Sequence, residues 1–222
     1  MPEDQITLGG LETLIVRQGT PDAGTPLIIA LHGRGASAED LVPVLPEIIP
    51  GSVIGLFPNA PFTLEMGAWG VGYAWYDLGA EQSATIAESR RQLLALLDET
   101  TQQFAVPPER MLLAGFSQGA VMTFEAGLRY ARPLAGLIAL SGYMPEPSVL
   151  AAEAAADRAR PVLIAHGTRD EIVPVEASRI AHRALTALGY PVDYREFPIG
   201  HNISPDEILF IRDWIAARPM PE

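Results

Sequence analysis

The sequence predicts an α/β fold: a mostly parallel β-sheet with helices on both faces and an antiparallel hairpin at the N-terminus. Short apolar runs alternate with longer amphipathic segments from Leu27 onward, the order of a parallel sheet crossed by helices. The 222 residues are 48% hydrophobic, which is enough for one sizeable core. The 20 glycines and 20 prolines are spread between the runs, as expected for many short elements joined by turns. We find no repeat or linker and expect a single domain over residues 1–222.

The predicted strands come from two kinds of pattern. Gly9-Gly10 is a two-residue turn signal between two segments of strand character, which predicts a hairpin. Most later strands are continuous apolar runs, as expected when both faces of a strand are buried. In chain order the predicted strands are Asp4–Leu8, Leu11–Arg17, Leu27–Leu31, Val53–Phe57, Met111–Ala114, Leu137–Leu140, Val162–Ala165 and Val192–Phe197.

The helices are predicted from apolar spacing and capping signals. Ser37 precedes the first helix, with Asp40 three residues later in the manner of a capping box, and Ser83 is interpreted as the N-cap of the longest. Pro205 suits the first turn of the last helix. In chain order the predicted helices are Ala38–Ile49, Ser83–Phe104, Ser117–Tyr130, Leu150–Arg160, Val175–Leu188 and Ser204–Ala217.

Composition excludes several classes of function. The net charge is −12, so binding to nucleic acid or to anionic lipid is disfavoured. The chain has no cysteine, which removes thiolate nucleophiles and cysteine-ligated metals. All 15 basic residues are arginine, which removes Walker phosphate loops and Schiff-base chemistry. The N-terminus does not read as a signal peptide and no apolar run reaches membrane-spanning length, so we expect a cytoplasmic protein without integral membrane association.

One motif carries candidate chemistry. Residues 115–119 read G-F-S-Q-G, between the predicted strand Met111–Ala114 and the helix that follows it. A serine on a tight strand-to-helix turn projects its hydroxyl above the sheet, and the flanking glycines let strand and helix approach closely. The helix N-terminus favours developing negative charge. Ser117 is therefore the candidate nucleophile; the alternative reading is an ordinary N-cap serine.

A serine nucleophile needs a base, and the base needs an acid that orients it. His201 is the candidate base, because it lies on the loop between the last predicted strand and helix. Asp170, in H-G-T-R-D at 166–170, is the candidate acid, and Glu171 is the neighbouring alternative. The order Ser117, Asp170, His201 is that of the α/β-hydrolase arrangement. The other histidines are interpreted as packing, loop-anchoring or surface residues: His32, His166 and His182.

An oxyanion hole needs two main-chain N–H groups aimed at one point. The residue after the nucleophile, Gln118, supplies the first candidate. The second is expected on the loop after an earlier strand. That loop is L-H-G-R-G at 31–35, in which Arg34 is the candidate donor.

In these motifs the chain resembles the small carboxylesterase, lysophospholipase and acyl-protein thioesterase family of α/β-hydrolases. The resemblance covers almost the whole chain. It implies that Ser117, Asp170 and His201 form the triad, that the main-chain N–H groups of Arg34 and Gln118 form the oxyanion hole, and that Trp75 is part of the active-site wall. The matching segments are L-H-G-R-G at 31–35, F-P-N-A-P at 57–61, A-W-Y-D at 74–77, G-F-S-Q-G-A at 115–120, S-G-Y at 141–143, H-G-T-R-D-E-I-V-P at 166–174 and G-H at 200–201.

Arg34 departs from the family pattern, in which leucine is common at this position. A guanidinium there could pair with an anionic substrate, or bridge to an internal carboxylate such as Asp77 or Asp40. We expect the internal bridge, because an unpaired buried charge is costly. With either reading, a charge beside the acyl site disfavours a long lipid acyl chain as the substrate.

The segment Asn59–Ala80 has no clear period, and the stretch Phe62–Tyr76 within it is rich in glycine and aromatic residues. We expect an irregular, aromatic-lined flap over the active site, because long loops without regular structure usually have a role. A packed surface loop and a contact between the two copies of a homodimer are the alternatives. Its large side chains are Phe62, Met66, Trp69, Tyr73, Trp75 and Tyr76.

We therefore expect a serine hydrolase that cleaves carboxylic esters of short-to-medium acyl chains through a Ser-His-Asp triad and an acyl-enzyme. Its partner is a small-molecule ester or thioester, and we expect no metal or cofactor. Two alternatives stay open: a lysophospholipase or acyl-protein thioesterase acting on long acyl chains, and a non-catalytic binding protein on a hydrolase scaffold.

Overall fold

The computed structural model describes residues 3–22, 24–67 and 70–218. Ten strands and six α-helices are present in these ranges. The strands are β1 (Glu3–Leu8), β2 (Leu11–Gln18), β3 (Leu27–Leu31), β4 (Val53–Pro58), β5 (Phe62–Glu65), β6 (Val71–Ala74), β7 (Met111–Phe116), β8 (Gly136–Leu140), β9 (Val162–Gly167) and β10 (Val192–Phe197). The helices are α1 (Leu45–Ile48), α2 (Gln82–Phe104), α3 (Gln118–Gly127), α4 (Pro147–Glu153), α5 (Glu176–Ala187) and α6 (Pro205–Ala216), with 3₁₀ turns at Ala38–Val44 and Pro108–Arg110.

The main sheet has the order β1-β2-β4-β3-β7-β8-β9-β10. β1 pairs with β2, and β2 with β4, in antiparallel fashion. The remaining neighbours in this sheet, in the order β4-β3-β7-β8-β9-β10, are all parallel. The predicted fold class is thus confirmed. Gly9 and Gly10 make the β1–β2 turn with φ of +59° and +80°, a conformation that glycine adopts without strain. The carboxyl ends of all the parallel strands lie on the same side of the sheet, and the candidate site is at these ends.

Two apolar layers cover the two faces of the sheet. In β3, the side chains of Leu27, Ile29 and Leu31 enter one layer, and those of Ile28 and Ala30 enter the other. This alternation explains why the central strands are continuous apolar runs, since each residue meets helices on its own side.

Several predicted helix boundaries were wrong. Ala38–Ile49 is a 3₁₀ segment followed by the single turn α1; Pro43 lies in this segment and cannot donate a helical hydrogen bond. Ser37 makes no side-chain cap, and α2 begins at Gln82, so Ser83 lies inside its first turn. α3 ends at Gly127, before the predicted Tyr130.

The predicted helix Leu150–Arg160 was also misplaced. α4 spans Pro147–Glu153 and ends where Ala154 becomes extended, with φ −62° and ψ 143°. The chain beyond it leads to Arg160, whose buried guanidinium donates to the carbonyl oxygens of Tyr130 at 2.9 Å and Arg132 at 2.8 Å. The chain after α4 must be extended to bring Arg160 to these carbonyl oxygens. This tertiary contact outweighs the helical propensity of the alanines that precede it.

The stretch Phe62–Tyr76 was predicted to be irregular, and this prediction was wrong. It contains an antiparallel hairpin. β5 and β6 pair in the register Phe62↔Ala74 to Glu65↔Val71. The hairpin lies against the loop after β3: Gly35 N–H donates to Tyr73 O at 2.7 Å and Tyr73 N–H donates to Ala36 O at 2.9 Å. Trp69, also counted in the predicted flap, lies outside the described residues.

Candidate active site

Ser117 occupies a strained turn between β7 and α3. Its φ of 55° and ψ of −117° are unusual for a residue with a Cβ, and its N–H donates to Leu140 O at 2.9 Å. A Cβ on Gly115 would lie 2.2 Å from the Gly119 carbonyl carbon, and one on Gly119 would lie 2.0 Å from Leu31 O. Only glycine fits at these two positions. The motif therefore brings strand and helix together and exposes the serine hydroxyl at the sheet edge.

The structure brings Ser117, His201 and Asp170 into one line. His201 Nε2 lies 2.9 Å from Ser117 Oγ, and His201 Nδ1 lies 2.7 Å from Asp170 Oδ2. Asp170 follows β9, and His201 follows β10, so both reach the edge where β7 ends. The neighbouring Glu171 is exposed, and among the described residues the hydrogen bonds of the His201 ring go to Asp170 and Ser117 and not to Glu171.

Asp170 is held as an ionised carboxylate. Its Oδ1 accepts hydrogen bonds from the N–H groups of Ile172 at 2.9 Å and Val173 at 2.8 Å. Burial by itself raises the pKa of Asp170, but the hydrogen bond from His201 and those two amides outweigh it, so the pKa lies below its usual value. An ionised carboxylate only accepts, so His201 Nδ1 donates to it, and in the neutral imidazole this leaves the Nε2 lone pair facing the serine.

The two candidate oxyanion donors flank Ser117. Gln118 is its chain neighbour, and a Cβ on Gly33, next to Arg34, would lie 3.4 Å from Ser117 Cβ. His32 anchors the Arg34 loop as predicted: its ring accepts from Ala60 N–H at Nε2, 3.1 Å away, and Nδ1 donates to Gly33 O at 2.7 Å. Burial lowers the pKa of His32, in keeping with a neutral anchoring role.

The Arg34 side chain does not make the expected internal bridge. Arg34 is exposed and forms no ion pair with Asp77, Asp40 or any other described carboxylate. The prediction was wrong because the guanidinium is in water, where a lone charge has no desolvation cost to offset. Its field reaches the buried phenol of Tyr76: burial raises the pKa of Tyr76, and Arg34 opposes that rise.

Trp75 lies in the core and not on an open wall. Its side chain is 0% exposed, and its indole N–H donates to His32 O at 2.9 Å. Its ring also packs against the His32 ring, with centroids 5.5 Å apart. The structure therefore does not bring Trp75 to a surface that a substrate could contact.

His182 is half-buried and stacks on Tyr194, with ring centroids 4.7 Å apart, away from the candidate site.

Two cavities share Tyr143 and Met144 in their linings. One, of about 420 Å³, is mainly apolar and adjoins the Asp170 turn; its lining is Tyr143, Met144, Ile172, Val173, Pro174, Ala177 and Ile180. The other, of about 440 Å³, has a mixed polar and apolar lining that includes Arg90, Glu125 and Arg129. Ile172, in the lining of the apolar cavity, is 71% exposed. Ile172 was not among the predicted site residues, although the aliphatic run I-V-P directly after Asp170-Glu171 is visible in the chain.

Within the described ranges, no cluster of three or more histidine, cysteine, aspartate or glutamate side chains could hold a metal ion. None of the helices in the same ranges is long and apolar enough to cross a bilayer.

Comparison with known proteins gives a consistent family. The profile of a family described as Phospholipase/Carboxylesterase matches residues 14–218. The chain belongs to the phospholipase/carboxylesterase family. It is 29% identical over 207 residues to carboxylesterase SOBER1 of Arabidopsis thaliana, covering 86% of this chain and 90% of that protein. It is 33% identical over 175 residues to acyl-protein thioesterase 1 of Schizosaccharomyces pombe, covering 73% of this chain and 76% of the relative.

Solved structures agree with the phospholipase/carboxylesterase assignment. The crystal structure of esterase PE8 has a TM-score of 0.82 at 29% identity and covers 94% of this chain and 99% of its own. That of Arabidopsis SOBER1 has a TM-score of 0.76 at 28% identity and covers 87% of this chain and 99% of its own. The fold is that of the α/β-hydrolases, and the chain is a hydrolase of the phospholipase/carboxylesterase family.

Proposed function

We propose that this hydrolase is a serine carboxylesterase that works through Ser117, His201 and Asp170. The observation that carries the proposal is the hydrogen-bonded line from Ser117 Oγ to His201 Nε2 at 2.9 Å and from His201 Nδ1 to Asp170 Oδ2 at 2.7 Å. Both lengths lie within the range for proton transfer between a nucleophile and its base. A binding protein on the same scaffold would have no need of this line.

In the first step, Ser117 Oγ attacks the ester carbonyl carbon and its proton passes to His201 Nε2. Asp170 stabilises the resulting imidazolium through the bond to Nδ1. The negative charge on the former carbonyl oxygen is met by the main-chain N–H groups of Arg34 and Gln118. The carbon–oxygen bond to the leaving group then breaks, and Nε2 returns the proton to the departing alcohol.

In the second step, a water molecule gives a proton to His201 Nε2 and attacks the Ser117 acyl ester. The same oxyanion donors receive the charge again. Collapse of this intermediate breaks the bond to Ser117 Oγ, which recovers its proton from Nε2, and the carboxylic acid leaves. The chemistry would also cleave a thioester, because a thiolate leaves more readily than an alkoxide.

The apolar cavity beside Asp170 supports an acyl chain of short-to-medium length. Its volume of about 420 Å³ is close to the lower end of small-molecule sites. Long-chain lysophospholipid or acyl-protein thioesters form the second candidate class. The exposure of Ile172 favours this second class, because an exposed aliphatic side chain extends the apolar groove for a longer acyl chain.

Arg34 supports a finer proposal about the substrate. A free guanidinium on the oxyanion loop would attract an ester that also carries a carboxylate or phosphate. We therefore propose that Arg34 contributes to substrate selection through its side chain, in addition to its main-chain role.

The experiment combines turnover with active-site labelling. Ser117→Ala, His201→Ala and Asp170→Ala should each fold and lose about 10³-fold or more in kcat on p-nitrophenyl butyrate. A fluorophosphonate probe should label the parent at Ser117 and leave Ser117→Ala unlabelled. Glu171→Ala is the matched control and should stay within about twofold of the parent. Ser117→Ala activity above about a tenth of the parent's would disprove the nucleophile assignment.

A further inference from the structure

His166 is a buried histidine directly behind the proposed catalytic acid. It belongs to β9, its side chain is 0% exposed, and its Nε2 lies 2.8 Å from Val173 O. A carbonyl oxygen only accepts, so Nε2 carries a hydrogen and donates. The same nitrogen lies 3.4 Å from Asp170 Oδ2, the oxygen that also accepts from His201.

These contacts close a ring around the Asp170 carboxylate. His166 holds the carbonyl oxygen of Val173, and the N–H of Val173 holds Asp170 Oδ1 at 2.8 Å. With Oδ1 fixed in the turn and the His166 N–H beside Oδ2, the carboxylate has little freedom to rotate. Oδ2 is thereby directed at His201 Nδ1, 2.7 Å away.

We infer that His166 is a positioning residue of the hydrolytic site, which holds the 170–173 turn so that the Asp170 carboxylate meets His201. It acts through Asp170 and does not touch the reacting atoms. The inference rests on the proposed function, because it concerns the efficiency of the same proton relay.

The role requires a neutral imidazole, and the surroundings favour one. Burial lowers the pKa of His166, and nearby His201 acts in the same direction. The hydrogen bond with the Val173 carbonyl raises the pKa of His166, and so do Asp170 and Glu196, which lies opposite His166 in the β9–β10 register, but burial outweighs them. The carboxylate of Glu196 is already engaged by Arg179 Nε at 2.7 Å and Tyr194 OH at 2.7 Å.

The other ring nitrogen is consistent with the neutral form. His166 Nδ1 is buried and has no hydrogen-bond partner among the described residues. On a neutral imidazole with its hydrogen at Nε2, Nδ1 carries only a lone pair. Burying an unpaired lone pair costs less free energy than burying an unpaired N–H of a charged ring. A charged His166 would also compete with His201 for the Asp170 carboxylate.

A matched pair of substitutions separates the donor from the bulk of the ring. His166→Gln keeps a side-chain N–H that can reach the Val173 carbonyl, and His166→Met has a similar length without a donor. We expect His166→Met to lower kcat on p-nitrophenyl butyrate by about 10- to 100-fold, with KM within about twofold. His166→Gln should stay within about fivefold of the parent.

The pH profile of kcat/KM provides a readout that core packing alone would not move. If Asp170 is misdirected, the imidazolium loses support, so the midpoint of the acidic limb should move to lower pH by about half a unit or more in His166→Met. His166→Gln should keep the parental midpoint. Fluorophosphonate titration of active sites corrects each kcat for the folded fraction.

Three outcomes would overturn the inference. Equal losses in the Gln and Met variants would mean that the N–H is irrelevant. An unmoved midpoint in His166→Met, or a loss that active-site titration accounts for entirely, would make the residue a core filler. Should His166→Met fail to fold, His166→Asn replaces it, because the shorter amide cannot reach Val173 O. Parental activity in Ser117→Ala would instead disprove the proposed function, whatever the His166 variants do.

Discussion

The side-chain oxygen of Gln118 accepts a 2.9 Å hydrogen bond from the main-chain N–H of Trp75. The Gln118 side chain also donates to Tyr76 O at 2.9 Å, and the Trp75 indole donates to His32 O at 2.9 Å. One network thus connects the residue after Ser117 with the loop that carries Arg34. The two proposed oxyanion donors are held at a fixed separation by this network, as electrostatic preorganisation requires.

This relationship gives Trp75 a structural role, which its substitution should reveal. Because the ring is fully buried, Trp75→Ala should lower the free energy of unfolding by about 3–5 kcal/mol. Trp75→Phe should lose less, about 1–2 kcal/mol, since it mainly removes the bond to His32 O. Urea denaturation measures both. A stable Trp75→Ala with a changed acyl preference would restore Trp75 as a substrate wall.

Arg34 should act on charged substrates selectively. Arg34→Leu keeps the main-chain N–H, so kcat/KM on p-nitrophenyl butyrate should remain within about tenfold of the parent. KM for p-nitrophenyl hemisuccinate should rise by about fivefold or more, because the guanidinium no longer attracts the carboxylate. Added salt should weaken the preference in the parent and leave Arg34→Leu unaffected.

Arg132→Leu is the control for net charge. Arg132 is also exposed, but it lies just before β8, at the opposite edge of the sheet. Arg132→Leu should leave kcat/KM for p-nitrophenyl butyrate and KM for p-nitrophenyl hemisuccinate unchanged. Equal effects of Arg34→Leu on the neutral and anionic esters would remove the anchor and leave only the main-chain role.

Acyl length should have an optimum. Each methylene adds about 0.8 kcal/mol while it contacts apolar wall and nothing once it leaves the groove. We expect kcat/KM on p-nitrophenyl esters to rise from acetate, peak at about four to eight carbons, and fall by twelve. Ile172→Ser should lower kcat/KM for the longer esters more than for acetate, since it removes apolar lining. A steady rise to sixteen carbons would favour the lysophospholipase or thioesterase alternative.

The sequence was most informative where structure depends on neighbours in the chain. Gly9-Gly10 and the apolar runs predict their strands because hairpins and buried strands have local signals. Ser117, Asp170 and His201 could be selected because chain order along a parallel sheet determines which loops meet at its edge. A short local pattern therefore decides the strands, and the order of the parallel strands decides which loops meet.

The errors concern residues whose state depends on distant contacts. The burial of Trp75 depends on Gln118 and His32, which are remote in the chain, and no local pattern indicates it. The exposure of Arg34 depends on how the β5–β6 hairpin lies against its loop. The contacts of His166 are close in the chain, and an anchoring role was among its predicted readings, but its partners Val173 O and Asp170 Oδ2 depend on how the 170–173 turn folds over β9.

Glu207 should make stability depend on pH in an identifiable way. It is fully buried in α6, its Oε2 accepts from Ser204 N–H at 3.4 Å, and burial raises its pKa to about 7. The folded chain therefore keeps a proton that the unfolded chain releases from about pH 4.5 upward. Stability contributed by this proton is present below about pH 4.5 and is lost as pH rises to about 7.

Replacing the titrating group should remove this loss. Glu207→Gln keeps an acceptor for Ser204 N–H but cannot ionise, so it should be more stable than the parent at pH 8 by up to about 3 kcal/mol. The difference should shrink toward zero near pH 4.5. Urea unfolding across this range measures it, and Asp206→Asn, which changes an exposed carboxylate one residue earlier, should lack the trend. A gain for Glu207→Gln that is the same at every pH would show that Glu207 does not carry the proton, because only a group that titrates between the two states can give the difference a slope.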